Sequence, residues 1–187
     1  MKKPSNKDMI QSEWRSIAFS TALVMRMSGN YHLFCELTDA GDGEVFSNIL
    51  NLVWESVSGQ NQRIDFQKQL EKLELITPDP VEFDMYGVWP ALDAAVALSS
   101  LLNVCERWDQ AELDSIAILS RSTIEHYLEA TDEDCVETHP LFQAEKACSE
   151  QLHAIISEQS SQSRPKVVAA LKAAVNQWGV TNIGLEV

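Results

Sequence analysis

The chain has 187 residues, 45% hydrophobic and 22% charged, with 28 acidic against 14 basic side chains and a formal charge of −14. That length is one domain's worth, enough for folding to bury roughly 70% of the unfolded surface. So acidic a surface, with no cluster of bases to offset it, argues against a nucleic-acid partner, and seven glycines and six prolines are few for an all-β fold.

The first helix is expected from about Asn6 to Ser28, because Ile10, Trp14, Ile17, Ala18, Ala22 and Met25 recur near i, i+3, i+4 spacing. Gly29-Asn30, two residues that tolerate left-handed geometry, should end it. A short helical turn, Tyr31 to Leu37, leads to Asp39-Ala-Gly-Asp-Gly-Glu44, where Asp42 is placed to cap a helix from Glu44 to Ser58. Phe46, Ile49, Leu50, Val53 and Val57 form its inner face, with Trp54 at the edge. A third helix spans about Asp65 to Ile76, with Phe66, Leu70 and Leu73 inward, before Pro78 and Pro80 impose a loop.

The stretch from Met85 to Cys105 holds a single charge, Asp93. From Pro90 onward it reads as a helix that is apolar nearly all round, which belongs inside a fold and covered by others. Asp109 with Glu112 three residues later resembles a capping box and opens a helix to about Ala130, with Leu113, Ile116, Ala117, Ile124, Tyr127 and Leu128 inward. Thr131 to Thr138 is an acidic loop. Pro140 starts a helix to about Glu158 that buries Leu141, Ala144, Cys148, Leu152 and Ile155. The serine-rich segment Ser157 to Ser163 links it to a last helix, Pro165 to Trp178, followed by an extended tail, Val180 to Val187. The expected fold is all-α: a single domain, 1–187, of about seven helices around a central apolar helix at about 90–106.

Cys35, Cys105, Cys135 and Cys148 form no Cys-x-x-Cys pair and read as small hydrophobes rather than disulfides or metal ligands. The opening Lys2-Lys-Pro-Ser-Asn-Lys-Asp8 does not lead into a signal-peptide core, and no uncharged run approaches the ~20 residues of a membrane span. A reducing, cytoplasmic setting with no membrane partner is expected.

Asp93 is the sharpest chemical feature. A buried carboxylate must be paired, protonated or turned to a wet cavity. Arg26, in equally apolar surroundings, is the expected structural partner. The competing reading makes Asp93 part of a small-molecule pocket with Tyr86, Trp89 and Glu55. Other templates go unmatched. Glu150-Gln-Leu-His153 is one of the two Glu-x-x-His motifs a di-metal bundle requires. His32, His126, His139 and His153 form no His-x-x-x-His pair. Gly41-Asp42-Gly43 lacks both the glycine of a dinucleotide fingerprint, where Phe46 stands, and that of a calcium loop, where Glu44 stands. Trp14, Trp54 and Trp178 read as core rather than as a cofactor box, and no cofactor is expected.

Taken together, Arg26-Met27, Asn30-Tyr31, Phe34-Cys35, Gly41-Asp42-Gly43, Trp54-Glu55, Gln69-Leu70-Glu71-Lys72, Phe83-Asp84, Tyr86-Gly87-Val88, Pro90-Ala91, Asp93-Ala94, Ala97-Leu98 and Asn182-Ile183-Gly184 make the chain resemble the YjaG family, uncharacterised bacterial proteins grouped as a domain of unknown function. The resemblance runs almost end to end. It implies an all-helical cytoplasmic bacterial protein, carries no established activity, and sets Arg26, Glu55 and Asp93 inside matching motifs. The leading functional expectation is a non-enzymatic protein that pairs with a second copy, as a homodimer, or binds another protein. The alternative is a small-molecule-binding protein or enzyme with its pocket near Asp93.

Overall fold

The computed structural model describes residues 6–60, 63–159 and 162–186, with side chains from Glu13 onward. The expectations for Lys2, Lys3 and the Ile10 side chain lie outside those bounds, as does the middle of the serine-rich link. Among the described residues there are seven helices: α1 (Asn6–Thr38), α2 (Gly43–Ser58), α3 (Phe66–Glu74), α4 (Val88–Glu106), α5 (Gln110–Ala130), α6 (Pro140–Glu158) and α7 (Arg164–Trp178). The fold is all-α, and the β pairing among the described residues is a single bridge, Val180 with Glu186.

Local chemistry sets most helix ends. The carboxylates of Asp42, Asp65 and Asp109 accept from Val45, Lys68 and Ala111 N–H groups, each at the start of a helix. Gly59 and Gly179 close α2 and α7 in left-handed geometry. Half of the expected capping box forms, since Glu112 accepts from Asn103 instead of reaching back to the cap. His139 caps α6 through its ring, a role the sequence reading did not assign.

The first helix does not end at Ser28. It continues through Gly29-Asn30 to Thr38 and absorbs the separate turn. A mid-helix glycine costs about 1 kcal/mol against alanine, but Met27, Tyr31 and Phe34 lie on one inward stripe and are almost fully buried. Burying each large side chain is worth about 1.5–3 kcal/mol, so packing overrides the local break. At 33 residues, α1 is about 50 Å long and packs on every helix except α3.

Its principal partner is α4, which also packs on α5, α3 and α2. The apolar helix is therefore central, but it is not covered all round. Val88, Ala91, Ala94, Ala95, Leu98, Leu101 and Leu102 are buried, whereas Trp89 is 51% and Val96 43% exposed. By length and composition α4 could also cross a bilayer, yet more than half of that span is buried inside the fold. It is a core helix with one open stripe. Trp54, expected at an edge, is buried. Ala117, expected inside, is exposed, and Ser120 and Thr123 take the inward positions of α5.

The tail is not simply extended. Thr181 N–H donates to Leu185 O at 2.8 Å, and Gly184, at φ 83°, donates to Thr181 O at 3.1 Å. This tight loop drives Thr181, Asn182 and Ile183 into the fold, where all three are buried.

Candidate functional site

The expected pair between Asp93 and Arg26 does not form. Arg26, on α1, is 3% exposed and forms an ion pair with Glu145 of α6. A buried guanidinium needs such a partner, and α6 supplies one against α1. Glu145 uses its other oxygen to accept from Ser120 Oγ at 2.7 Å. Asn182 Nδ2 donates to Ser120 O at 2.9 Å, and Asn30 Nδ2 donates to Asn182 Oδ1 at 2.9 Å. One polar chain thus runs Arg26–Glu145–Ser120–Asn182–Asn30 and ties α1, α5, α6 and the tail together. The Arg26 guanidinium also sits 5.3 Å from the centre of the Trp178 ring. It forms the floor of a cleft of about 540 Å³ whose rim includes His32, Glu36, Asn176 and Glu186.

Asp93 is half-buried on α4 and faces α5. Burial raises its pKa above the usual carboxylate value, opposed by a hydrogen bond to Thr123 and the nearby charge of His126. Thr123 Oγ1 lies 2.8 Å from Asp93 Oδ2 and 2.8 Å from Leu119 O. A hydroxyl has one proton and cannot donate to both. The Thr123 hydroxyl therefore alternates between the two acceptors, and its donation to Asp93 opposes the upward push of burial. Asp93 is thus partnered by a threonine hydroxyl, not by an arginine.

The remaining candidates do not converge on Asp93. Tyr86 feels the Asp93 charge, and burial first, then that charge, pushes its phenol up to about 12. It lines a carbon-walled pocket of about 140 Å³ with Asn30, Phe34 and Tyr127. Trp89 points to solvent. Glu55 lines a different groove, about 730 Å³ between α2 and α7. There Lys172 lies 5.5 Å over the Trp54 ring and is held below the usual amine range by burial, with Glu55 opposing that shift. Asp93 lines none of these cavities.

The residues the sequence reading missed are Asn30, Ser120, Thr123, Glu145 and Asn182. Ser120 and Thr123 were recoverable, because they fall on the same 113, 116, 120, 123 spacing that places Leu113 and Ile116 inward. Glu145 and Asn182 left no local signal. As for covalent chemistry, burial pushes the Cys105 thiol up to about 12, so it carries no thiolate at neutral pH. His153 stacks on Phe19 with ring centres 4.1 Å apart. Among the described residues no three His, Cys, Asp or Glu side chains gather as metal ligands would.

An all-helical protein built on two crossing core helices, with a buried ion pair stapled to its C-terminal loop, is the class these features define. The chain belongs to the family described as "Protein of unknown function (DUF416)", whose profile matches residues 9–186. It is 33% identical to an uncharacterised protein of Haemophilus influenzae, covering all of this chain and 98% of that one. It is 31% identical to the uncharacterised protein YjaG of Escherichia coli K12, covering 92% of this chain and 90% of the relative. A crystal structure of a DUF416 family protein from Shewanella baltica superposes with a TM-score of 0.85 at 33% identity, over 99% of this chain and 100% of that one.

Proposed function

We propose that this protein works by self-association in the cytoplasm, pairing two copies through the open stripe of α4, and has no catalytic centre of its own. The observation that carries this reading is the exposure of Trp89 and Val96 on the most apolar helix of the chain. Trp89, Leu92, Val96, Ser99, Ser100 and Asn103 fall on one face, with Asp93 as the one charge on it. A chain of charge −14 repels its copy except across such a surface.

The stripe is also complementary to itself. An antiparallel partner with its two-fold axis at Val96 sets Trp89 opposite Asn103, Leu92 opposite Ser100 and Asp93 opposite Ser99. Large side chains then meet small ones. Two-fold pairing of one patch is the commonest symmetry of soluble oligomers. Leu75 and Val81, 86% and 92% exposed on the loop beside α4, extend the apolar area.

Sedimentation at micromolar concentration tests the proposal. The wild type should run as a dimer and Val96→Asp as a monomer with the same helical content. A monomeric wild type, or a Val96→Asp variant that still pairs, overturns it.

A further inference from the structure

We propose that Lys172, in the groove between α2 and α7, captures a small hydroxylated aldehyde reversibly as an imine. This goes beyond self-association and does not depend on it, because none of the residues bordering the groove belongs to α4. Lys68, Lys72, Lys146 and Lys166 stand exposed, whereas Lys172 is half-buried, with its amine 5.5 Å over the centre of the Trp54 ring. Its Nζ donates to Asn51 Oδ1 at 3.4 Å, a long bond that the amine gives up at little cost. Among the described residues no carboxylate lies within ion-pair distance of it. Burial holds the amine below its usual range, with Glu55 opposing that shift. A desolvated lysine outside any ion pair gains free amine, the form that attacks carbonyl carbon.

The groove beside the amine holds about 730 Å³, a volume ordinary for a small-molecule site. Asn48, Asn51 and Glu55 border it from one face of α2, at helical spacing, and Ser58 and Gln60 continue the wall. Amide and hydroxyl groups both donate and accept, which suits the hydroxyls of a ligand. The free amine forms a bond to the aldehyde carbon while the carbonyl π pair moves to oxygen, and a proton passes from nitrogen to that oxygen. The hydroxyl then leaves as water and the C=N bond forms, so no oxidant or reductant is consumed. Glu55, whose charge reaches the amine, stands on the same groove to relay that proton, directly or through one water. The protonated imine keeps the positive charge, so the Trp54 face and Glu55 still stabilise it. An acyl group would abolish that charge, which favours an aldehyde over an acyl donor. A neutral aldehyde is also not repelled by a chain of charge −14.

The test is reductive trapping on the full chain. Sodium cyanoborohydride converts any imine to a stable secondary amine, and peptide mass mapping then reads each lysine. Glycolaldehyde should label Lys172 severalfold faster than the exposed Lys68, Lys72, Lys146 and Lys166. Propanal is of similar size but lacks the hydroxyl. The ratio of glycolaldehyde to propanal labelling should therefore be about fivefold higher at Lys172 than at the exposed lysines, the worth of one hydrogen bond. Asn48→Ala combined with Asn51→Ala, both at exposed positions of α2, should bring that ratio down to the value at the exposed lysines. If the double variant fails to fold, the comparison among the wild-type lysines decides alone. Labelling of Lys172 no faster than of the exposed lysines, an equal ratio at every lysine, or a ratio that survives in the folded double variant would each overturn the assignment.

Discussion

Asn182 Nδ2 donates to the main-chain oxygen of Ser120 at 2.9 Å, across 62 residues of sequence, while Asn182 Oδ1 accepts from Asn30. The C-terminal loop is thereby pinned between α1 and α5 in a fully buried position. Asn182→Ala leaves an Asn30 N–H without its partner and takes from the Ser120 carbonyl the bond it accepts besides its helical one. The expected loss is about 2–4 kcal/mol of stability, read from a urea titration. A loss no greater than that of an exposed Asn→Ala change would contradict the role given to this residue.

Arg26 and Glu145 form the charged end of the same chain, with side chains 2% and 12% exposed. Removing either partner strands a buried charge, so Arg26→Ala and Glu145→Ala should each cost about 3–5 kcal/mol. The double variant should lose clearly less than the sum of the two. Additive losses in denaturant melts would mean that the two side chains do not depend on each other.

Asp93 has the opposite sign. Burial raises its pKa above the ordinary carboxylate value of 3.8, so between the two values the folded protein holds a proton that the unfolded chain has released. Stability therefore falls as pH rises from the unfolded value through the raised one, and the penalty is complete above it. Asp93→Asn keeps an acceptor for Thr123 and carries no charge. It should melt higher than wild type at neutral pH, with the difference closing as pH approaches 3.8. A neutral-pH destabilisation by Asp93→Asn would restore the case for a cationic partner.

Gly41 sits at φ 74°, and a Cβ there would lie 2.7 Å from Tyr31 Oη and 3.0 Å from Cys35 Sγ. Tyr31 Oη cannot yield freely, because it donates to Ile76 O at 2.7 Å and accepts from Asp42 N–H at 3.1 Å. Gly41→Ala should cost at least about 1–2 kcal/mol through the left-handed backbone and the displaced tyrosine. Thermal melts that match wild type would show that the turn relaxes without strain.

The folded state and the sequence agree wherever the controlling chemistry is local. The caps at Asp42, Asp65 and Asp109, the proline starts at Pro140 and Pro165, and the glycine stops at Gly59 and Gly179 each act within one turn. The seven helices and the apolar character of α4 are legible for that reason. Asp93 was also visible as a half-buried acid, because one charge in an apolar run stands out without reference to anything else in the chain.

What lay beyond reading depends on which faces meet. Local preference ends α1 at Gly29-Asn30, yet burial of Met27, Tyr31 and Phe34 carries it onward. Spacing puts Arg26 and Asp93 on buried faces but does not say that α6 crosses α1 beside Arg26, or that Thr123 stands beside Asp93. The same holds for Asn182, whose partners lie 62 and 152 residues away. The sequence by itself determined the helices, their ends and their apolar faces, because those follow from contacts within a few residues. Only the tertiary structure decided the partners of the buried polar groups and the stripe of α4 left open, because helix crossings, set by packing across the whole chain, choose each residue's neighbours.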